Sequence, residues 1–297
     1  MCGKTEGSSP IHNKTDEKFE SKLFFPEGDG RQGEGGLRTQ RVFKKSLPTK
    51  PLITVVTAVY NGEKFLEKTI QSIINQTYEN VEYVIIDGGS TDGTLDIIRK
   101  YEHAIDYWVS EKDQGISDAF NKAVTLSSGD FINFQGDGDG FYELDSIETI
   151  SRKIKSLEDV LICGKICRID EFGKQLYFSK QKSPFNKKSL LFKMSLPHQG
   201  LFINKVFFKK YGLFDVNNTF CMDYEHLLRA YAEFPTVTLV DTVIANWRDD
   251  GVGSGRILEV LREYHQIKKK NNVASALLLL FIKYWSYFKY YVRKALT

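Results

Sequence analysis

The sequence predicts an α/β fold with a mostly parallel sheet flanked by helices. Apolar runs of strand length, rich in β-branched residues, alternate with segments whose apolar residues recur at the 3.6-residue period of an amphipathic helix. This order of strand, helix, strand, helix is typical of parallel neighbours joined by right-handed crossovers. Of the 297 residues, 41% are hydrophobic and 27% are charged, so the chain can bury a core of its own.

The first half of the chain carries the clearest pattern. The run over residues 52–58, preceded by Pro48 and Pro51, predicts a buried strand, and Asn61 is the expected N-cap of the helix that follows. The other elements expected here are helices over residues 65–74, 95–101 and 116–126 and strands over residues 81–86, 107–110 and 130–134.

The second half of the chain predicts a mixed set of strands and helices that packs on the first half as one unit. Its elements are strands over residues 160–162, 176–179, 201–203 and 237–240 and helices over residues 205–211 and 223–232. Polar residues follow three strands of the first half, at residues 57–61, at Asp87 and at residues 137–139. Because ligands of open α/β sheets bind outside the carboxyl ends of the strands, we expect these three clusters to converge.

Charge and cysteine content exclude several classes of protein. The 41 Lys and Arg residues against 38 Asp and Glu residues leave a net charge of +3, which argues against a dedicated nucleic-acid binder. Four scattered cysteines do not form a disulfide framework, and Cys163 with Cys167 lacks a second pair at zinc-ligand spacing. The first thirty residues lack the apolar stretch of a secretory signal, so no export is predicted.

Both ends of the chain differ from the middle. Residues 1–50 are rich in Gly, Lys, Glu and Ser and predict a flexible arm that docks through residues 37–43, ahead of a domain over residues 51–260. Residues 261–297 contain eight Lys or Arg and one Glu together with many aromatic rings. This tail predicts an amphipathic helix in a membrane interface, with a helix packed on the protein or on a partner as the alternative; lysines interrupt it too early for a membrane span.

The sequence Asp137-Gly138-Asp139 is the most informative local signal. Two carboxylates on a strand-end loop can share one Mg²⁺ or Mn²⁺ that also holds phosphate oxygens. A plain Asp/Gly turn is an equally weighted alternative. An EF-hand loop is excluded because its sixth residue, which must be glycine, is Tyr142.

The loop over residues 88–93 opens a helix and is compatible with an anion site or a structural turn, but it matches neither the Rossmann nor the Walker spacing. Asp87, at the end of an apolar strand, is placed to accept hydrogen bonds from a nucleobase or ribose. A Ser/His/Asp triad is not supported, because the chain has no Gly-x-Ser-x-Gly elbow.

An ordered set of segments closely resembles the family 2 glycosyltransferases with a GT-A fold, over about residues 34–250. These segments are VVTAVYNG at 55–62, SIINQTY at 72–78, IIDGGSTDGT at 85–94, SEKDQGISDAFNK at 110–122, DGD at 137–139, PHQ at 197–199, MDYE at 222–225 and NWR at 246–248. Residues 35–38 resemble a subgroup of bacterial enzymes that build surface polysaccharides.

The resemblance implies a role for each matching residue. Asp139 ligates the metal, and Asp223 is the general base although Met222 replaces the acidic residue that often precedes it. Asp137 stands among the nucleotide-sugar contacts, where many relatives have a small or neutral residue. The remaining implied residues are the nucleotide-pocket residues Ala58, Tyr60, Asn61 and Asp87, the sugar-nucleotide residues Asp118 and Lys122, and the acceptor-side residues His198, Gln199, Trp247 and Arg248.

The implied function is that of an inverting glycosyltransferase, dependent on Mg²⁺ or Mn²⁺. It would move a sugar from a nucleotide donor, UDP-linked by expectation, to a hydroxyl of a glycan or lipid-linked acceptor in cell-surface polysaccharide synthesis. The expected location is cytoplasmic and peripheral on the inner face of the membrane. Two alternatives stay open: a non-catalytic protein that retains the fold, and a sugar nucleotidylyltransferase, whose Gly-rich basic loop after the first strand is absent here.

Overall fold

The computed structural model describes residues 21–28, 30–156, 158, 160–251 and 253–296. Its strands are β1 Gly33–Gly35, β2 Ile53–Val59, β3 Val81–Asp87, β4 Tyr107–Ser110, β5 Phe131–Phe134, β6 Gly140–Phe141, β7 Leu161–Ile169, β8 Gln175–Phe178, β9 Leu201–Asn204 and β10 Val237–Arg248. Its helices are α1 Leu66–Ile74, α2 Thr94–Lys100, α3 Ile116–Leu126, α4 Ser146–Ser151, α5 Lys205–Tyr211, α6 Met222–Arg229, α7 Ile257–Lys270 and α8 Ala276–Leu296.

The strands of the described residues form one sheet in the order β1-β4-β3-β2-β5-β9-β7-β10-β6, with β8 paired to β7. Strands β4, β3, β2 and β5 run parallel, whereas β9 is antiparallel to both β5 and β7. The predicted α/β fold with a mostly parallel sheet is therefore confirmed.

Side chains on the two faces of the sheet build two separate cores. Val56 and Ala58 of β2 pack with Phe120 of α3 on one face. Ile53 and Val55 of the same strand pack with α1 on the other face. Because successive strand residues point to opposite faces, a fully buried strand such as β2 serves both cores, which explains its unbroken apolar sequence.

The N-terminal segment differs from the flexible arm that its composition predicts. Strand β1 pairs with β4 at the edge of the sheet, and the amides of Leu37 and Arg38 donate to the carbonyls of residues 105 and 106. The Arg38 guanidinium, 2% exposed, forms an ion pair of 2.6 Å with Glu82. Polar anchors of this kind leave no mark in hydropathy. Residues 1–20 of the predicted arm lie outside the described residues.

The turn after β2 also differs from its prediction. Asn61 does not cap α1, because the N-cap position is Phe65 and the helix begins at Leu66. Asn61 instead adopts a left-handed backbone conformation with φ 52°, which asparagine tolerates better than most residues.

The C-terminal tail folds as two helices rather than one. Helices α7 and α8 are joined by residues 271–275, and α8 buries Leu279 and Ile282 in an apolar cluster that includes Leu190 and Tyr224. Within the described part of the chain, no helix combines the length and apolar character that a membrane crossing requires.

Candidate active site

Three loops meet at the carboxyl ends of β2, β3 and β5, and we call residues 60–65, 88–93 and 135–139 the strand-end loops. The first two are tied together by Asn61. Its amide donates to Ser90 Oγ at 2.7 Å, and its Oδ1 accepts from the Thr91 amide at 2.9 Å. Tyr60, beside Asn61, is 64% exposed, whereas Ala58 is buried at 8%. The predicted convergence of the first two clusters is therefore present in the fold.

Asp87 is fully buried between the first two loops. Its carboxylate accepts hydrogen bonds from the amides of Gly89 and Ser90, at 3.1 and 3.0 Å, and from the hydroxyls of Ser90 and Ser110. Asp87 thus organises the loop that follows β3.

The third loop places two carboxylates in one buried turn. Asp139 Oδ1 accepts from the Arg248 amide at 2.9 Å, and its Oδ2 accepts from Gln199 Nε2 at 2.9 Å. Burial raises the pKa of Asp139 to about 6. Burial also raises the pKa of Asp137 to about 7, and the neighbouring Asp139 charge adds to the rise while Arg248 opposes it.

A glycine lets this turn lie against the loop after β2. A Cβ on Gly62 would stand 2.8 Å from Asp137 Cγ, so that any side chain there would overlap the carboxyl group. Within the described residues, Asp137 Oδ1 is buried without a hydrogen-bond donor.

Two residues that the resemblance assigns to the acceptor side contact this turn. Gln199 donates to Asp139, and the Arg248 guanidinium stacks over the Phe65 ring at 3.5 Å. The pairing of Asn246 with Gly140 carries Arg248 there. Arg248 Nη1 is buried and has no hydrogen-bond acceptor among the described residues.

The α3 side of the site forms a charged network. Lys122 Nζ donates to Glu111 Oε1 at 2.9 Å and lies 3.6 Å from Asp118 Oδ2. Glu111 also pairs with Arg31 at 3.0 Å. No role for Glu111 or Arg31 is predicted from the sequence. Glu111 lies inside a quoted motif, whereas Arg31 carries no sequence signal.

Asp223 is the second residue of α6. Its Oδ1 accepts from the Tyr224 amide at 2.7 Å, and no hydrogen bond to Oδ2 is present among the described residues. Burial lowers the pKa of His198, which lies among aromatic rings with Phe134 at 4.8 Å, while the Asp223 charge opposes the shift. Trp247 stacks under the Arg168 guanidinium at 4.5 Å.

The Asp137–Asp139 turn fits a divalent cation, as judged from its own atoms. The turn holds two neighbouring carboxyl groups with raised pKa values, and one of their buried oxygens has no donor among the described residues. A hard cation would stabilise the charged form of both groups and coordinate that oxygen. No group of three or more His, Cys, Asp or Glu side chains suited to a metal occurs in the described part of the chain. Further ligands would therefore come from the substrate or from water.

Comparison with known proteins identifies the family. The family model for glycosyl transferase family 2 matches residues 54–219, more than half of the chain. The chain belongs to glycosyl transferase family 2. It is an enzyme of the glycosyltransferase class, as the sequence motifs predict.

Curated relatives bear glycosyltransferase names. An uncharacterized glycosyltransferase of Rickettsia typhi is 31% identical over 183 residues, covering 59% of this chain and 57% of that protein. A PGL/p-HBAD biosynthesis glycosyltransferase of Mycobacterium tuberculosis is 26% identical over 244 residues, covering 79% of this chain and 91% of that protein. This chain thus spans little more than half the length of the Rickettsia relative.

Solved structures share the GT-A fold. S. aureus TarS 1-349 in complex with UDP superposes with a TM-score of 0.58 at 18% identity, covering 73% of this chain and 65% of that one. The mannosyltransferase PcManGT of Pyrobaculum calidifontis, in complex with GDP-Man and Mn²⁺, superposes with a TM-score of 0.58 at 15% identity, covering 80% and 70%.

Proposed function

We propose that this glycosyltransferase is metal-dependent and inverting, and that it moves a sugar from a UDP-linked donor to a hydroxyl of a glycan or lipid-linked acceptor in cell-surface polysaccharide synthesis. The observation that carries the proposal is the Asp137–Asp139 turn, whose two crowded carboxyl groups lie beside the loop after β2. The UDP complex of TarS and the GDP-Man and Mn²⁺ complex of PcManGT support a nucleotide-sugar donor and a metal.

In this proposal the donor occupies the strand-end loops. Tyr60 and Asn61 line the nucleotide pocket with Ala58, and Asp87 accepts from the uracil or ribose after one serine hydroxyl rotates away. Asp139, with Asp137 beside it, holds Mg²⁺ or Mn²⁺, which when bound supplies positive charge to the leaving diphosphate. Arg248 Nη1, a buried donor without an acceptor among the described residues, adds a hydrogen bond to a phosphate oxygen.

Asp223 acts on the acceptor. An inverting transfer requires a base that removes the proton of the attacking hydroxyl on the side opposite the leaving group. With Oδ1 fixed by the Tyr224 amide, Oδ2 of Asp223 is the oxygen that accepts this proton. Asp118 and Lys122 contact the sugar nucleotide, and His198 lines the acceptor side with Trp247.

The test is UDP release with Mn²⁺ from UDP-glucose, UDP-galactose, UDP-N-acetylglucosamine and UDP-N-acetylgalactosamine, with water as the acceptor. We expect release from at least one donor and its loss with EDTA. Release that persists in EDTA would overturn the metal dependence, and release from none of the four would contradict the UDP-linked donor.

We also propose that the tail, residues 261–297, binds the inner face of the membrane beside a catalytic domain of residues 51–260. On α8, the rings of Phe281, Trp285 and Phe288 are exposed by 61%, 43% and 58% and stack in series, with centroids 6.5 and 5.8 Å apart. Lys289 lies 5.8 Å from the Trp285 ring, and Lys283 lies 5.9 Å from the neighbouring Tyr284 ring. Exposed aromatic rings with adjacent cations match an anionic lipid surface.

Flotation on vesicles containing phosphatidylglycerol tests the membrane proposal on the full chain. Trp285→Ser combined with Phe288→Ser should abolish flotation. Phe172→Ser, which removes another exposed ring far from the tail in sequence, should leave it unchanged. Equal flotation of the tail variant and the unmodified protein would contradict membrane binding through α8.

A further inference from the structure

Helix α7 reaches the backbone directly in front of Asp223. The Glu263 carboxylate accepts three hydrogen bonds from consecutive amides: Oε1 from Phe220 at 3.0 Å and from Cys221 at 2.8 Å, and Oε2 from Thr219 at 3.2 Å. Charge-assisted hydrogen bonds of this kind are stronger than those between neutral groups. One side chain thus fixes three residues of the segment that leads into α6.

The next residue of α7 holds the other side of Asp223. The Tyr264 ring packs edge-on against the Tyr224 ring, with centroids 4.4 Å apart. The Tyr224 hydroxyl donates to the Leu190 carbonyl, and the Tyr224 amide donates to Asp223 Oδ1. Glu263 and Tyr264 therefore hold the chain on both sides of Asp223.

Helix α7 is itself anchored under α6. The Lys268 ammonium, 5% exposed, donates to the Leu191 carbonyl at 3.2 Å, and Ile267 packs in the apolar cluster that contains Tyr224 and Leu228. The position of Glu263 is thus set by the packed half of the tail and not by an isolated surface contact.

We propose that Glu263 is a positioning residue for the base, which keeps the Asp223 carboxylate oriented with Oδ2 toward the acceptor hydroxyl. This inference rests on the proposed role of Asp223. It makes the first helix of the tail a part of the active centre, besides any contact that the tail makes with lipid. Because a misplacement of about 1 Å can lower the rate by about 10²-fold, loss of the clamp is expected to reduce turnover and not donor binding.

The experiment compares Glu263→Ala, Glu263→Gln and Asp223→Asn in the full chain. Turnover is measured as UDP release from the fastest donor of the panel, and UDP affinity is measured by calorimetry with Mn²⁺. Glu263→Ala should lower kcat by about 10²-fold, while the KM of the donor and the Kd of UDP change less than about twofold. Glu263→Gln, which keeps one acceptor oxygen, should recover part of that loss.

Glu259→Gln is the matched control. Glu259 lies one turn earlier on α7, has a side chain that is 45% exposed, and pairs with Arg256. We expect unchanged kcat, KM and thermal midpoint for this variant. If Glu263→Ala does not fold, Glu263→Gln alone decides.

The outcomes separate the two proposals. Loss of turnover in Asp223→Asn with wild-type kcat in both Glu263 variants overturns the positioning role alone. Parallel loss of kcat and UDP affinity in the Glu263 variants also overturns it, because that pattern indicates general disruption. Wild-type turnover in Asp223→Asn removes the base itself, and the positioning role with it.

Discussion

The strand-end loops and the helices around Asp223 bury different titratable groups. The loops crowd Asp137 and Asp139 into one turn, so that both carboxyl groups have raised pKa values. Around α6, by contrast, burial favours neutral histidine, and it lowers the pKa of His226 to about 3 among the rings of Phe207 and Phe208. In our proposal the loops receive a cation, whereas α6 keeps one carboxylate in place.

The largest expected effect is at the Asp137–Asp139 turn. Asp139→Asn should weaken Mn²⁺-dependent UDP binding by about 10²-fold or more, since even loss of a residue that only supports a metal ligand costs up to about that factor. Calorimetry with UDP, with and without Mn²⁺, measures the change. Asp145→Asn, an exposed neighbour in sequence, is the control and should bind as the unmodified protein does. Equal UDP affinity in Asp139→Asn and the unmodified protein would contradict the proposed role of Asp139 as a metal ligand.

The ion pair between Arg38 and Glu82, at the end of β3 opposite the strand-end loops, gives the next effect. Arg38→Met leaves Glu82 buried without its cation and should lower the free energy of unfolding by about 3 kcal/mol. Lys45→Met, on the exposed part of the same segment, should change it by less than about 0.5 kcal/mol. Urea unfolding measures both, and matching midpoints would show that the N-terminal segment contributes no such anchor.

Acid sensitivity should distinguish the α6 region. Because the folded pKa of His226 lies below its ordinary value of 6.5, the unfolded chain binds more protons between about pH 3 and 6.5. The stability that His226 contributes is present above pH 6.5 and is lost as the pH falls. The free energy of unfolding should fall between pH 7 and pH 5, and His226→Phe should make that fall about 2 kcal/mol smaller. Urea unfolding at each pH measures the difference. An unchanged slope would show that His226 is charged in the folded protein.

The Asp137–Asp139 turn should change the free energy of unfolding with pH in the opposite direction to His226, and by a smaller amount. With folded pKa values of about 7 and about 6, Asp137 and Asp139 hold protons that the unfolded chain releases, so their contribution falls as the pH rises from about 4 through 7. Asp137→Asn should raise the free energy of unfolding by on the order of 1 kcal/mol at pH 7.5 and by almost nothing at pH 4. Unfolding of the metal-free protein at the two pH values measures it, and equal shifts at both would contradict the raised pKa.

The two regions differ in how much of their structure is predictable from the sequence. The parallel strands and the loops after β2, β3 and β5 were predictable because apolar runs that alternate with amphipathic helices, and the glycine-rich turns between them, are local signals. Asn61 was mistaken for a helix cap because its left-handed backbone is not visible in residue type. The resemblance assigns Gln199 and Arg248 to the acceptor side, and their hydrogen bonds to Asp139 come from the fold and have no local sequence signal.

The support of Asp223 was not predictable at all. Glu263 reads as one charge in a basic tail, and only the packing of α7 under α6 brings it to the amides of residues 219–221, more than 40 positions away. The N-terminal segment shows the same limit, since Arg38 and Arg31 anchor it through ion pairs that span the fold.

We propose that binding and chemistry are divided between these two regions, and Asp223→Asn tests this division most directly. We predict that this variant binds UDP with Mn²⁺ as tightly as the unmodified protein, while its kcat for UDP release falls by about 10²-fold or more, the usual cost of losing a general base. A kcat close to that of the unmodified protein would contradict the account.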